Sequence, residues 1–456
     1  MSLFGLMYLA YQGLNVLVLA PLMALLAALF HVGTPLMATY TQIFMPALGN
    51  YLFKYFPLFM LGAIFGRLMN DSGAAITIGR WITRRLGEKQ AILATVLSCA
   101  VLTYGGVSLF VVAFCIYPIA AALFKVADVP KRLIPGSIAL GSFTFTMTAL
   151  PGTPSIQNAI PMPYFGTTTF AAPGLGVIAA IIMFLGGMIW LNRRAKLAKE
   201  KGEGYLPANE KDIALEQDAR KEFPSIWVAF LPLVIVLALN YLFSDVVLPM
   251  LDHSYLLEKK YGGVTSQKVI GLWALVASLA ISIIVLLIVM RNYLSAKLKS
   301  VNQGTMESLL PIFNTASEVG YGATIAALSS FALIKTKILG IFPEYPLISE
   351  AVAINVLAGI TGSASGGLSI ALEALGSTYL SLAEAANISP ELLHRVATLS
   401  CGGFDTLPHN GAVITLLGIC GLTHKKSYFD IFTIAVALPV ISTAVVVVLG
   451  TAVGSF

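Results

Sequence analysis

Two short polar runs hold the residues whose types and spacing best suit them to chemistry. Leu150-Pro151-Gly152-Thr153-Pro154-Ser155 leads into Gln157 and Asn158, and Asp405-Thr406-Leu407-Pro408-His409-Asn410-Gly411 follows, with Pro408 placed 257 positions beyond Pro151. Asp405 and His409 can both change protonation state, and ionisable groups inside apolar segments mark ion pathways and proton relays. They are the leading candidates for taking up and releasing a proton, with Glu373 behind them. The alternative is a mutual hydrogen bond that only fixes the run. Gln157, Asn158 and Asn410 carry amides that donate and accept, which suits them to ligand hydroxyls and carboxylates or to capping of helix ends.

The same offset carries Tyr104-Gly105-Gly106-Val107-Ser108 onto Thr361-Gly362-Ser363-Ala364-Ser365, which continues to Gly366 and Gly367. Small residues let backbones approach closely and leave amides and hydroxyls free for a ligand. The candidate binding residues are therefore Tyr104, Gly105, Gly106 and Ser108; Gly152, Thr153, Ser155, Gln157 and Asn158; Thr361, Gly362, Ser363, Ser365 and Gly366; and His409, Asn410 and Gly411.

The surrounding chain is 57% hydrophobic and 11% charged, with a mean hydropathy of +0.85. A soluble domain carries about a quarter charged residues, so this is an all-α integral membrane protein with repeated apolar stretches of spanning length. Backbone broken by proline and glycine is tolerated in a bilayer only where protein or a cavity covers it, and two such breaks at one offset point to a site near the midplane. Residues 90–124 read as a re-entrant hairpin with its tip at 104–108, followed by a broken helix at about 131–165. Residues 347–386, with a tip at 361–367, and 390–422 repeat the pattern. Spans are expected at about 14–30, 48–66, 173–191, 225–250, 267–290, 306–333 and 428–450, with an amphipathic surface helix between Arg67 and Lys89. Lys89 and Lys125 place both ends of the first hairpin on the cytoplasmic side, as do Arg193, Arg194 and Lys196 for the segment that follows. Counting crossings opens the second hairpin to the outside. Residues 1–192 and 223–456 then form two inverted units of about five helices and one hairpin each, joined by a charged cytoplasmic linker at 193–222.

Other classes fit less well. The formal charge of +6 falls in short clusters between spans, so no nucleic-acid partner is expected. Cys99, Cys115, Cys401 and Cys420 lie in apolar segments without C-x-x-C spacing and read as reduced packing residues, and neither a metal nor a cofactor is expected. Met1 to Ala10 lacks a basic n-region and reads as mature membrane sequence. There is no H-E-x-x-H, P-loop or G-x-S-x-G motif. An intramembrane serine hydrolase built on Ser363 or Ser365 with His394 or His409 would leave the first hairpin without a purpose, and an anion channel would want a ring of like charges that the sequence lacks. His394 and Arg395 are expected at a span end, snorkelling to the interface. No partner can be named for Glu318.

The runs Tyr104 to Phe110, Thr148 to Pro154, Gly359 to Gly367 and Asp405 to Gly411 resemble the gluconate/proton symporter family of bacterial permeases, and the likeness covers nearly the whole chain. The resemblance implies a multi-pass protein of the bacterial inner membrane, in a superfamily of inverted repeats and homodimers in which a mobile domain slides against a scaffold as an elevator. It implies small sugar acids such as gluconate, or hydroxy and keto monocarboxylates such as 3-hydroxybutyrate, carried with protons. On this likeness both hairpin tips and both breaks form the substrate site. Sodium is the alternative coupling ion, although the Ser-Asn-Thr signatures of the sodium/dicarboxylate relatives are not plainly present.

Overall fold

The computed structural model describes residues 2–11, 14–31, 33–87, 90–205, 223–329, 345–408 and 410–456, and all regular structure among them is helical. Among the described residues five helices are long and apolar enough to cross a bilayer: Leu36–Asp71, Pro173–Glu200, Ile226–Met250, Gln267–Val289 and His424–Val453. Leu36–Asp71 begins well before the expected span at 48–66. Thr39 and Thr41 return their hydroxyls to the carbonyls of Pro35 and Met37, and the chain continues through a π-helical turn at Tyr40–Phe44. The helix Lys297–Ala327 packs along it.

The short amphipathic helix forms as expected at Ala74–Leu86. Ala75, Ile78 and Ile82 are buried, while Arg80, Arg84 and Arg85 stay exposed. Ser2–Tyr11 is a ten-residue helix packed against Val16–Leu29, too short to cross by itself.

Residues 91–126 fold as two antiparallel helices, Ala91–Tyr104 and Leu109–Val126, and residues 346–385 do the same as Pro346–Thr361 and Ala364–Ala385. At 1.5 Å per residue the incoming arms are about 21 and 24 Å long, short of the roughly 30 Å hydrocarbon layer. The second tip is tighter than 361–367. Only Gly362 and Ser363 leave the helix, because Ser363 Oγ caps the outgoing arm by accepting from Gly366 N at 3.0 Å.

Both polar runs interrupt helices. Ile134–Ser142 and the single turn Phe145–Thr148 end before the first run, which gives way to the single turns Ile156–Ala159 and Met162–Phe165. Pro390–Cys401 ends before the second, and Gly411–Ile419 follows it. The last helix of the first half does not stop near 192 but runs on to Glu200, and 206–222 of the charged linker, like Lys89, lies outside the described residues.

An ionic cluster fastens one end of this assembly. Asp430, 1% exposed at its side chain, accepts from Arg194 Nε at 2.8 Å, Trp190 Nε1 at 3.0 Å and Arg132 Nη1 at 3.2 Å. Arg132 also grips Glu203 with two parallel bonds of 2.7 and 3.0 Å. That hydrogen bond holds the Glu203 carboxyl below its ordinary range, so its contribution is present above that range and fades as the pH falls through the lowered value. Asp430→Ala removes the buried acceptor shared by Arg194, Trp190 and Arg132, leaving Arg132 on Glu203 alone. It is expected to cost about 2–3 kcal/mol, allowing for the partial exposure of both arginines, read as earlier unfolding on heating in detergent.

Candidate functional site

Each hairpin tip is docked on the break that follows it. Tyr104 donates from its hydroxyl to Pro151 O at 2.8 Å. Gly106 adopts φ +95°, and a Cβ there would come within 2.8 Å of the Pro154 ring, so only glycine fits both the turn and the contact. Gly105 presses in the same way on Leu233 of the Ile226–Met250 helix, and Ser108 begins the outgoing arm without capping it. In the second half Asn410 Nδ2 donates to Gly362 O at 2.8 Å, and Gly359 leaves room for Phe404, whose Cβ would lie 2.8 Å from an added methyl.

At the first break Gly152, at φ +78°, donates its N–H to Thr169 O at 2.9 Å and faces the Phe170 ring. Ser155 Oγ donates to Met147 O at 2.7 Å, which stitches the two sides of the interruption together. Asn158 is completely buried: Nδ2 donates to Thr153 O at 3.1 Å and Thr169 O at 2.9 Å, while Oδ1 lies 3.1 Å from His394 Nε2. Its amide is therefore committed to structure. Gln157, by contrast, makes no hydrogen bond among the described residues, and Thr153 Oγ1 is buried without a partner.

At the second break Thr406 Oγ1 donates to Ala435 O at 2.8 Å, within the π-helical turn Thr433–Ala437, and Tyr428 donates to Thr406 O at 3.1 Å. Asp405 beside it is 5% exposed, and its Oδ1 has no partner. Asn410 Oδ1 caps Val413 N at 2.9 Å, and Gly411 is exposed with open space where a Cβ would stand. His409 lies outside the described residues. Helix dipoles offer an anion little at either break. A single turn after the first break carries little macrodipole, and Asn410 already occupies one free amide after the second.

The halves touch where Gly402 leaves room for Thr148, whose side chain would meet an added Cβ at 2.9 Å. Across that junction His394 and Arg395 depart from expectation. Both are 0% exposed, so neither snorkels. His394 Nδ1 lies 2.6 Å from Thr167 Oγ1, and Arg395 donates to the carbonyls of Thr169 and Ala171. Both ring nitrogens of His394 are thus engaged, and among the described residues neither Ser363 nor Ser365 bonds to a histidine.

Carboxylates mark the second hairpin. Glu373 is exposed and accepts from the Tyr164 hydroxyl at 2.7 Å. Glu318, from the helix Lys297–Ala327, lies against the tip: a Cβ on Gly366 would overlap its carboxylate, and its Oε2 is buried without a partner. Thr315 Oγ1 is 3.4 Å and Ser363 Oγ 3.5 Å from Ser365 Oγ in the same neighbourhood. Glu350 on the incoming arm is fully buried with both oxygens unpaired, and it was not among the residues singled out from sequence. The signal was present, since Glu350 is a lone acid in the apolar run 346–361. Among the described residues no group of three or more His, Cys, Asp or Glu could hold a metal ion.

A separate cavity of about 530 Å³ lies at the ends of Ile226–Met250 and Gln267–Val289, lined by Thr167 and Thr168 together with Asp252, His253 and Gln267.

Residues 5–453 match the family model described as GntP family permease. The uncharacterized transporter YxjC of Bacillus subtilis (strain 168) is 45% identical over 456 residues, covering 97% of this chain and 95% of that one. An uncharacterized transporter of Haemophilus influenzae is 27% identical over 354 residues, 76% of this chain and 73% of its own. The crystal structure of the Alcanivorax borkumensis YdaH transporter, described as having an unusual topology, superposes with a TM-score of 0.53 over 98% of each chain. At 14% identity that likeness extends to the fold alone.

Proposed function

This chain belongs to the GntP family of permeases, and we propose that it imports a small organic anion, a sugar acid or a hydroxy or keto monocarboxylate, together with protons. One observation carries the reading. Each glycine-rich tip is bonded to its own broken helix, Tyr104 to Pro151 and Asn410 to Gly362, and the tip and break sequence runs recur at an offset of 257 positions. Helix boundaries follow the same offset: Ala91–Tyr104 corresponds to Pro346–Thr361 and Leu109–Val126 to Ala364–Ala385, each within a few residues. Two such hairpin-and-break units, in an inverted pair, are the parts from which a midplane substrate site is built. Hairpins and broken helices then move as one body against the long helices of a homodimeric scaffold, an elevator in the bacterial inner membrane. Asp405 is the proton carrier, since a buried carboxyl with an unpaired oxygen beside a break is placed for ion coupling.

Sodium coupling is favoured by a different observation, the cluster of Glu318 with the hydroxyls of Thr315, Ser363 and Ser365 at the second tip, since hard oxygen ligands suit hard cations. Purified protein in liposomes separates the two. Labelled gluconate or 3-hydroxybutyrate is expected to accumulate when the outside is made acid and sodium is absent. Uptake that ignores the proton gradient and follows sodium would replace the coupling ion. Passive equilibration at channel rates would refute the carrier.

A further inference from the structure

Arg395 is fully buried, and among the described residues its guanidinium hydrogen-bonds to backbone carbonyls alone. Nε and Nη2 donate to Ala171 O at 3.0 and 2.6 Å, and Nη2 reaches Thr169 O at 3.5 Å. Nη1 has no partner. Among the described residues no carboxylate lies within ion-pairing distance of it, and Glu391, one turn earlier on the same helix, is exposed. A charge held inside a membrane protein is normally paired or faces a substrate path. Carbonyl dipoles alone leave this one without a counter-ion.

Two more buried polar atoms around the same loop are unpaired, Thr153 Oγ1 and Asn240 Oδ1. Asn240 Nδ2 donates to Thr169 Oγ1 at 2.8 Å and to Gly152 O at 3.3 Å, and Asn158 Nδ2 joins Thr153 O to Thr169 O. The unmet groups are thus one arm of a cationic fork, a hydroxyl and an amide oxygen. A carboxylate suits the fork, and a hydroxyl on the same small molecule suits the other two. The loop that occupies Arg395 also reaches the 530 Å³ cavity: Gly166, Thr167 and Thr168 line it, while the carbonyls of Thr169 and Ala171 hold the guanidinium. Ala172, at the end of this loop, sits at φ +41°, a left-handed conformation costly for alanine and retained only where its surroundings enforce it.

We propose that Arg395 is the carboxylate-binding residue for a hydroxy-monocarboxylate, which enters from the 530 Å³ cavity and displaces the Thr169 and Ala171 carbonyls from the guanidinium, its hydroxyl meeting Asn240 and Thr153. The inference rests on the reading of this chain as an organic-anion carrier and names the group that recognises the anion.

The test is equilibrium binding to purified full-length protein in detergent, read by ligand-dependent thermal stabilisation. The probes are gluconate, 3-hydroxybutyrate and the uncharged amide of each. Wild-type protein is expected to bind at least one acid about 30-fold or more tightly than its amide. In Arg395→Gln the acid Kd rises by about 30-fold or more while the amide Kd changes less than about threefold. Arg395 also ties down a loop, so Arg395→Lys is measured beside it. It keeps the charge without the planar fork and is expected to be about tenfold weaker for the acid. An acid Kd unchanged in either variant, or a wild type that does not distinguish acid from amide, overturns the assignment. Uptake driven by sodium in place of protons would revise the coupling ion and leave this binding result standing.

Discussion

Protein carrying Asp405→Asn is expected to exchange labelled for unlabelled substrate across a liposome membrane at within about threefold of the wild-type rate, yet to build no gradient when the outside is acid. The substitution is nearly isosteric, and the flanking backbone is held independently by the bonds of Thr406 to Ala435 and Tyr428 to Thr406, so the break should keep its shape. What is lost is a carboxyl that can gain and release a proton. Exchange needs only substrate binding and reorientation, whereas accumulation needs a proton to travel with the substrate. One pH unit supplies about 1.4 kcal/mol per proton, a tenfold concentration ratio for one-to-one coupling. Wild-type vesicles should approach that ratio and Asp405→Asn vesicles should stay near unity. A variant that still reaches tenfold would move the coupling site to Glu318 or Glu350, the other buried carboxyls with unpaired oxygens among the described residues.

How much of this site was legible beforehand follows from the range of the interactions involved. Proline and glycine inside apolar runs act on their own backbone, so the helix ends at Tyr104, Thr361 and Cys401 fall beside residues that the sequence marks by type. The tightness of the second tip could not be read that way, because it depends on Ser363 accepting from Gly366 N in one particular turn. Nor could the early start of Leu36–Asp71, ahead of the expected span at 48–66, where the hydroxyls of Thr39 and Thr41 bond back to the preceding turn. Arg395 was misread for a related reason. Its partner Ala171 lies 224 positions away, and nothing local separates a buried arginine from one that reaches the interface. Asn158 looked like a ligand-binding amide until His394, 236 positions on, was found to occupy its oxygen.

The second hairpin offers a sharper test of how its tip works. Gly366 and Gly367 are neighbours in the first turn of the outgoing arm, but they face different surroundings. A Cβ on Gly367 would run into the backbone of Ala358 on the incoming arm, whereas one on Gly366 would meet the end of the Glu318 side chain. Backbone cannot yield without prising the arms apart, so Gly367→Ala should abolish uptake and lower stability whatever else is changed. The Glu318 carboxylate is 4% exposed and packed against the tip, so it can yield only by leaving that position. Overpacking of this kind typically costs about 1–3 kcal/mol, and Gly366→Ala is expected to cut uptake by about tenfold. Shortening the neighbour removes the overlap. The double variant Gly366→Ala/Glu318→Ala should therefore transport at the rate of Glu318→Ala alone, a non-additivity that residues in direct contact show and distant ones do not. If the two losses instead multiply, Gly366 acts through the backbone of its own turn, and Glu318 has no part in holding the tip.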